Sequence, residues 1–169
     1  MADYNRLMNE RIVNAASELS TEALHEDMGA FFKSVLLTLN HIMIGDILWL
    51  KRFAADKKPR RTLQALAHID KPARLDELLY DNLEGFSRQR SFLDKLIMDF
   101  CHELHESELD EPLEYINYMG VAHRKRLGDL ILHVFLHQVH HRGQVTTLLS
   151  QKNIDFGETD LPEIIPDIG

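Results

Sequence analysis

The run LGDLILHVFLHQVHHRGQVTTLLSQK, from Leu127 to Lys152, constrains this chain more than any other. It contains no proline and repeats apolar residues at helical spacing, so it predicts one long helix. Leu130, Val134 and Leu148 share one side with His133, His137, His140 and His141. Ile131, Leu132, Phe135, Val139 and Leu149 occupy the other. A helix that is apolar all round is buried all round. The 169 residues are enough for one sizeable core, which covers one of these faces. A second copy of the chain is the simplest cover for the other, with a hairpin or the C-terminal tail as alternatives.

Three more helices are expected. The first covers about Ala2 to Leu19, with Tyr4, Met8, Ile12, Ala15 and Leu19 on one stripe. LSTEALHE then reads as a break with a single helical turn. The second helix covers about Met28 to Ala55 and stops before Pro59. The third starts after Pro72 and runs to about His105, on a stripe of Leu79, Leu83, Phe86, Leu93, Ile97, Phe100 and Leu104. Tyr115, Ile116 and Tyr118 favour strand and Met119-Gly120 can turn, which predicts a short hairpin before the last helix. The tail after Lys152 has two prolines and reads as a wrapping or frayed coil. The expected fold is all-α, a four-helix bundle with a long crossover connection, in a single domain over residues 1–169.

The histidines are the unusual content of this core. A helix turns about 100° and rises about 1.5 Å per residue. With His137 as reference, His133 and His141 lie about 40° to either side and His140 about 60° off. His133 and His141 are about 12 Å apart along the axis. That is too far for one ion whose bonds to nitrogen are about 2 Å long. His133/His137 and His137/His141 each fit an ion, and His137 belongs to both pairs. A buried histidine can equally be satisfied by a hydrogen bond, so spacing alone leaves both readings open. Gln138 stands where the zinc-protease pattern H-E-x-x-H requires glutamate.

A third ligand has to come from another helix. His41 shares a stripe with Leu37, Ile44 and Leu48, so it is either a satisfied core histidine or a ligand, and its company favours a ligand. Cys101 and His105 are also one turn apart. They sit near a helix end among Glu103, Glu106 and Glu108, which reads as a solvated face.

The net charge of −8 argues against non-specific nucleic-acid binding, which needs clustered Lys and Arg. The one basic run, Lys57 to Arg61, reads as a solvated loop. Cys101 is the only cysteine, which points to a reducing cytoplasm. The N-terminus lacks the pattern of a signal peptide, and the apolar stretches are too short to span a membrane.

GAFFKSVLLTLNHIMIGDILWLKRF, GDLILHVFLHQVHHRGQVTTLLSQ, YNRLMNERI and TDLPEIIPD together resemble the DinB-like (DinB/YfiT) family, whose members are regarded as metal-dependent enzymes. The resemblance covers nearly the whole chain. Its specific part is the combination of N-H-x4-D-x2-W at Asn40–Trp49 with H-x3-H-R-G-Q at His137–Gln144. It implies a four-helix bundle with a long crossover, a homodimer, and a divalent metal ion, nickel or zinc, held by His41, His137 and His141. This selects the 137/141 pair, and leaves His133 and His140 as neighbours of the site or of an interface. Many relatives have histidine where this chain has Thr146, which lies about 180° from His137 and bears on an interface contact.

The same motifs contain Asp46, Trp49, Arg142 and Gln144. Asp46, about 140° from His41, is expected to partner an arginine or contact a helix. Gln144, about 20° from His137, is expected to orient a ligand or hydrogen-bond the site. Trp49 is expected in the core and Arg142 in an ion pair.

Three imidazoles leave an open coordination position, where a water or thiol loses its proton more easily. The wider superfamily resembles thiol-dependent transferases and isomerases that use small cytoplasmic thiols. The resemblance thus implies a thiol-dependent S-transferase or isomerase acting on small electrophiles, with a low-molecular-weight thiol as partner. A metal-dependent hydrolase is an alternative, weakened because no Asp or Glu lies within a turn of His137. A non-catalytic dimeric metal-binding stress-response protein is another.

Overall fold

The computed structural model describes residues 1–167. It is mostly helical with one small antiparallel sheet. Helix α1 spans Ala2–Ala16, the short α2 Thr21–His25, α3 Val35–Ala54, α4 Leu83–Glu103 and α5 Leu127–Gln151. Strands β1 (Pro112–Ile116) and β2 (Ala122–Arg126) form the expected hairpin, with Tyr115 opposite His123 and Leu113 opposite Lys125. Helix α3 packs on α5 and α4, and α1 packs on α4 and α5. One cluster of buried apolar side chains runs through all four long helices, and fully burying residues such as Leu36, Met43, Phe86 or Leu93 is worth about 1.5–3 kcal/mol each. No helix among the described residues is long and apolar enough to cross a membrane.

Helix α3 begins later than its apolar pattern predicts, at Val35 rather than near Met28. Gly29 and Lys33 both have left-handed backbone, at φ +74° and +66°, and residues 28–33 close into a tight turn. Ser34 then caps the helix, its hydroxyl accepting from Leu37 N at 3.2 Å. Helix α4 also starts late, at Leu83 rather than after Pro72. The buried Asn40 amide acts on the preceding chain like a strand neighbour. It accepts from Tyr80 N at 2.9 Å and donates to Tyr80 O at 3.0 Å, which holds that chain extended. Asn82 then caps α4 through Gly85 N. Leu79 therefore packs on the core from the connection and not from a helix.

The basic run departs from the solvated loop expected of it. Arg60 is buried, its guanidinium 2.9 Å from Glu108, while Lys58 pairs with Glu111. The run leads into a 3-10 turn, Thr62–His68, that buries Leu63 and Leu66 against the core. The tail lies on α1, where the Tyr4 hydroxyl donates to Thr159 O at 2.7 Å.

A buried polar layer crosses the apolar core and joins all four long helices. Asp46 of α3 accepts from Gln138 of α5 at 2.9 and 3.0 Å and pairs with Arg90 of α4. Arg90 also reaches Asp94 at 3.1 Å, and Asn9 of α1 donates to both Asp94 and Gln138. Asp46 thus has the arginine partner expected of it. Among the described residues Arg142 does not form the expected ion pair. Its guanidinium donates to the amide oxygens of Asn5, Asn9 and Gln138 at 2.6, 3.0 and 3.1 Å. Such a layer fixes how the helices sit along one another, because a slip would strand buried polar groups.

Candidate metal centre

Above the polar layer, α3 and α5 bring three histidines together. One ring nitrogen from each of His41, His137 and His141 lies within 4.8 Å of the others. These are the three residues that the motifs put forward as ligands. The pairing follows from helix geometry, since His137 and His141 are one turn apart on α5 and His41 faces them from α3.

Two of the rings are fixed from behind. His41 Nδ1 lies 2.8 Å from Leu75 O, which assigns the proton to Nδ1 and leaves the Nε2 lone pair facing His137. His141 Nδ1 lies 2.8 Å from the Gln144 side-chain oxygen, with the same consequence. Gln144 thus hydrogen-bonds the site, one of the two roles expected of it. The Nε2 atoms of His41 and His137 are 3.2 Å apart. Burial lowers the pKa of His41 and His141, and pushes His137 down to about 3 together with the charges of its histidine neighbours. Three neutral imidazoles with converging lone pairs are the donor set a divalent ion takes.

Gly45 makes the convergence sterically possible. It lies one turn after His41, and a Cβ there would stand 2.7 Å from His137 Cε1. Phe32 covers another side, stacked on His41 with centroids 3.9 Å apart and edge-on to His141 at 5.5 Å. Neither Gly45 nor Phe32 is among the residues expected at the site. A glycine in the middle of an apolar helix, four residues from a candidate ligand, was a usable signal for Gly45. Phe32 had none, because its position depends on the unforeseen turn at residues 28–33.

The remaining residues fall outside the cluster. His133 is exposed, with its ring 6.0 Å from that of His137 and 5.1 Å from Trp49. His140 is exposed beside Gln144. Trp49 is half-buried at the edge of the core, packed on Tyr115 and Arg52. Cys101 is partly buried in the α4 face, which pushes its thiol pKa up, and His105 starts the next turn. Among the described residues they form no metal-ligating group.

A family model described as the DinB family matches residues 1–162 of this chain. The chain is also similar to Protein DinB of Bacillus subtilis (strain 168). The two are 26% identical over 158 residues, which covers 94% of this chain and 87% of the relative.

Proposed function

Because the chain belongs to the DinB family, we propose that it is a divalent-metal-dependent enzyme that joins a small thiol, through its deprotonated sulfur, to a small electrophile, or isomerises one with the help of such a thiol. The observation that carries this reading is the convergence of His41, His137 and His141. Nickel or zinc suits three imidazole nitrogens. Such an ion would supply Lewis acidity that makes a thiol an anion near neutral pH. The chain's own contribution is orientation. Leu75 O and Gln144 fix two rings, Gly45 admits the third, and Phe32 shields one side from water. Among the described residues no carboxylate joins the cluster, which favours thiol over water as the nucleophile.

The same reading makes the protein a cytoplasmic single-domain four-helix bundle that works as a homodimer. Leu132, Leu136 and Val139 form an apolar stripe on α5, at 51, 56 and 40% exposure, and a second copy is its cover. Replacing Leu136 with aspartate should convert a dimer to a monomer in light scattering, with the helical circular dichroism unchanged. A wild-type monomer at micromolar concentration would dismiss the dimer.

Metal analysis tests the centre. The expected result is about one nickel or zinc per chain in wild type, by analogy with three-ligand sites, and none in His41→Ala or His137→Ala. Wild-type protein that takes up no metal on reconstitution, or variants that keep it, would overturn the assignment.

A further inference from the structure

Arg52 differs from Arg60 and Arg90, two other arginines packed against the body of this protein. Arg60 and Arg90 are paired with carboxylates. Arg52 is held by aromatic rings instead, with its guanidinium carbon 4.4 Å from the centroid of Trp49 and 5.1 Å from that of Tyr115. Among the described residues no carboxylate forms an ion pair with it, and the faces of Trp49 and Tyr115 are its contacts. Stacking of this kind fixes the plane of a guanidinium while its N–H edge stays available. The carboxylate of the hairpin, Glu114, faces the other side, where Lys57 and Arg124 lie 3.5 and 3.6 Å away.

The surroundings of Arg52 are cationic and lead to the histidine centre. The hairpin face that carries Leu113 and Tyr115 also carries Lys125 and His123. His133 stands edge-on to Trp49 and next to His137. Arg52 and His133 meet the same Trp49 ring, so the positive charge of Arg52 lies beside His133. In a chain of net charge −8, an uncompensated and pre-oriented cation contributes little to folding but suits an anionic ligand.

We propose that the strip between α3, α5 and the hairpin is a carboxylate-binding subsite for the ligand of the three-histidine centre, with Arg52 as its anchor. Arg52, presented by Trp49 and Tyr115, forms paired N–H···O bonds to the carboxylate, and Lys125 adds a second positive charge. The ligand class is a small carboxylic acid whose other end reaches the histidines. If the thiol reading above holds, it is a mercaptocarboxylic acid. The carboxylate subsite itself does not depend on that reading.

Trp49 is the only tryptophan, so its emission reports the subsite directly. Metal-free protein is titrated with glutarate and with the uncharged glutaramide. Glutarate should change Trp49 emission saturably, and glutaramide should not. Arg52→Ala should weaken glutarate binding about tenfold or more, and Arg52→Lys less, because a lone ammonium keeps the charge but not the paired geometry. Equal responses to the two probes, or full glutarate affinity in Arg52→Ala, would overturn the proposal. Loading with nickel or zinc should then tighten 3-mercaptopropionate about tenfold or more relative to glutarate, through simultaneous engagement of both ends. Glutarate binding without that gain would keep the subsite and dismiss the thiol-binding centre.

Discussion

Replacing Gly45 with alanine should empty the histidine centre while the fold stays intact. The added methyl would stand 2.7 Å from His137 Cε1, 3.1 Å from Nδ1 and 3.5 Å from Nε2. Helix α3 cannot retreat, because it is buried on nearly every side. The imidazole has to swing away, and its Nε2 then leaves the lone pair of His41 behind. The expected loss is about 10–100-fold in metal affinity, the range seen when ligand orientation is disturbed. Stability should change little, since alanine is favoured over glycine inside a helix by up to about 1 kcal/mol, which offsets the repacking. Gly143→Ala is the control, because nothing lies within 4 Å of a Cβ there. Chelator competition and the melting temperature of the metal-free protein read the two effects separately. Unchanged metal affinity in Gly45→Ala would mean that His137 is not held as described.

Arg90→Met should be the most destabilising single change in the polar layer, by about 3–5 kcal/mol near neutral pH. It leaves Asp46 and Asp94, at 0 and 4% exposure, without their guanidinium. The methionine fills much of the volume, so the loss comes from the uncompensated carboxylates. Their titration gives the signature. Burial pushes Asp46 from 3.8 up to about 6 even with Arg90 beside it. A carboxyl raised in the folded state contributes stability that is full below its unfolded value and is lost as pH rises through the folded one. Removal of Arg90 raises the folded value further and enlarges that loss. The gap between wild type and variant should therefore be widest near neutrality and shrink towards about pH 4. Urea midpoints across that range measure it, and a gap independent of pH would show that packing rather than charge is responsible.

Much of this architecture was legible in the sequence. The helix of Leu127–Gln151 and the hairpin follow from periodicity and β-forming residues, and the meeting of His41, His137 and His141 from the family resemblance. What was not legible depends on partners distant in sequence. The starts of α3 and α4 were missed because an apolar pattern continues through residues 28–34 and 73–82, where turns and the Asn40 amide override it. The roles of Arg60 and Arg142 were misread for a related reason. A basic residue shows its charge in the sequence but not the carboxylate or amide oxygens that will meet it across the core.

The two outward ring nitrogens of the centre are held by different kinds of atom. His141 leans on the side chain of Gln144, which a point substitution can remove or replace. His41 leans on the main-chain oxygen of Leu75, which every amino acid supplies. One histidine is therefore tunable by mutation of a single neighbour. The other is insensitive to the identity of its neighbour and responds only to the path of the connection between α3 and α4. Graded adjustment of the centre is open at His141, while at His41 it requires rebuilding that connection.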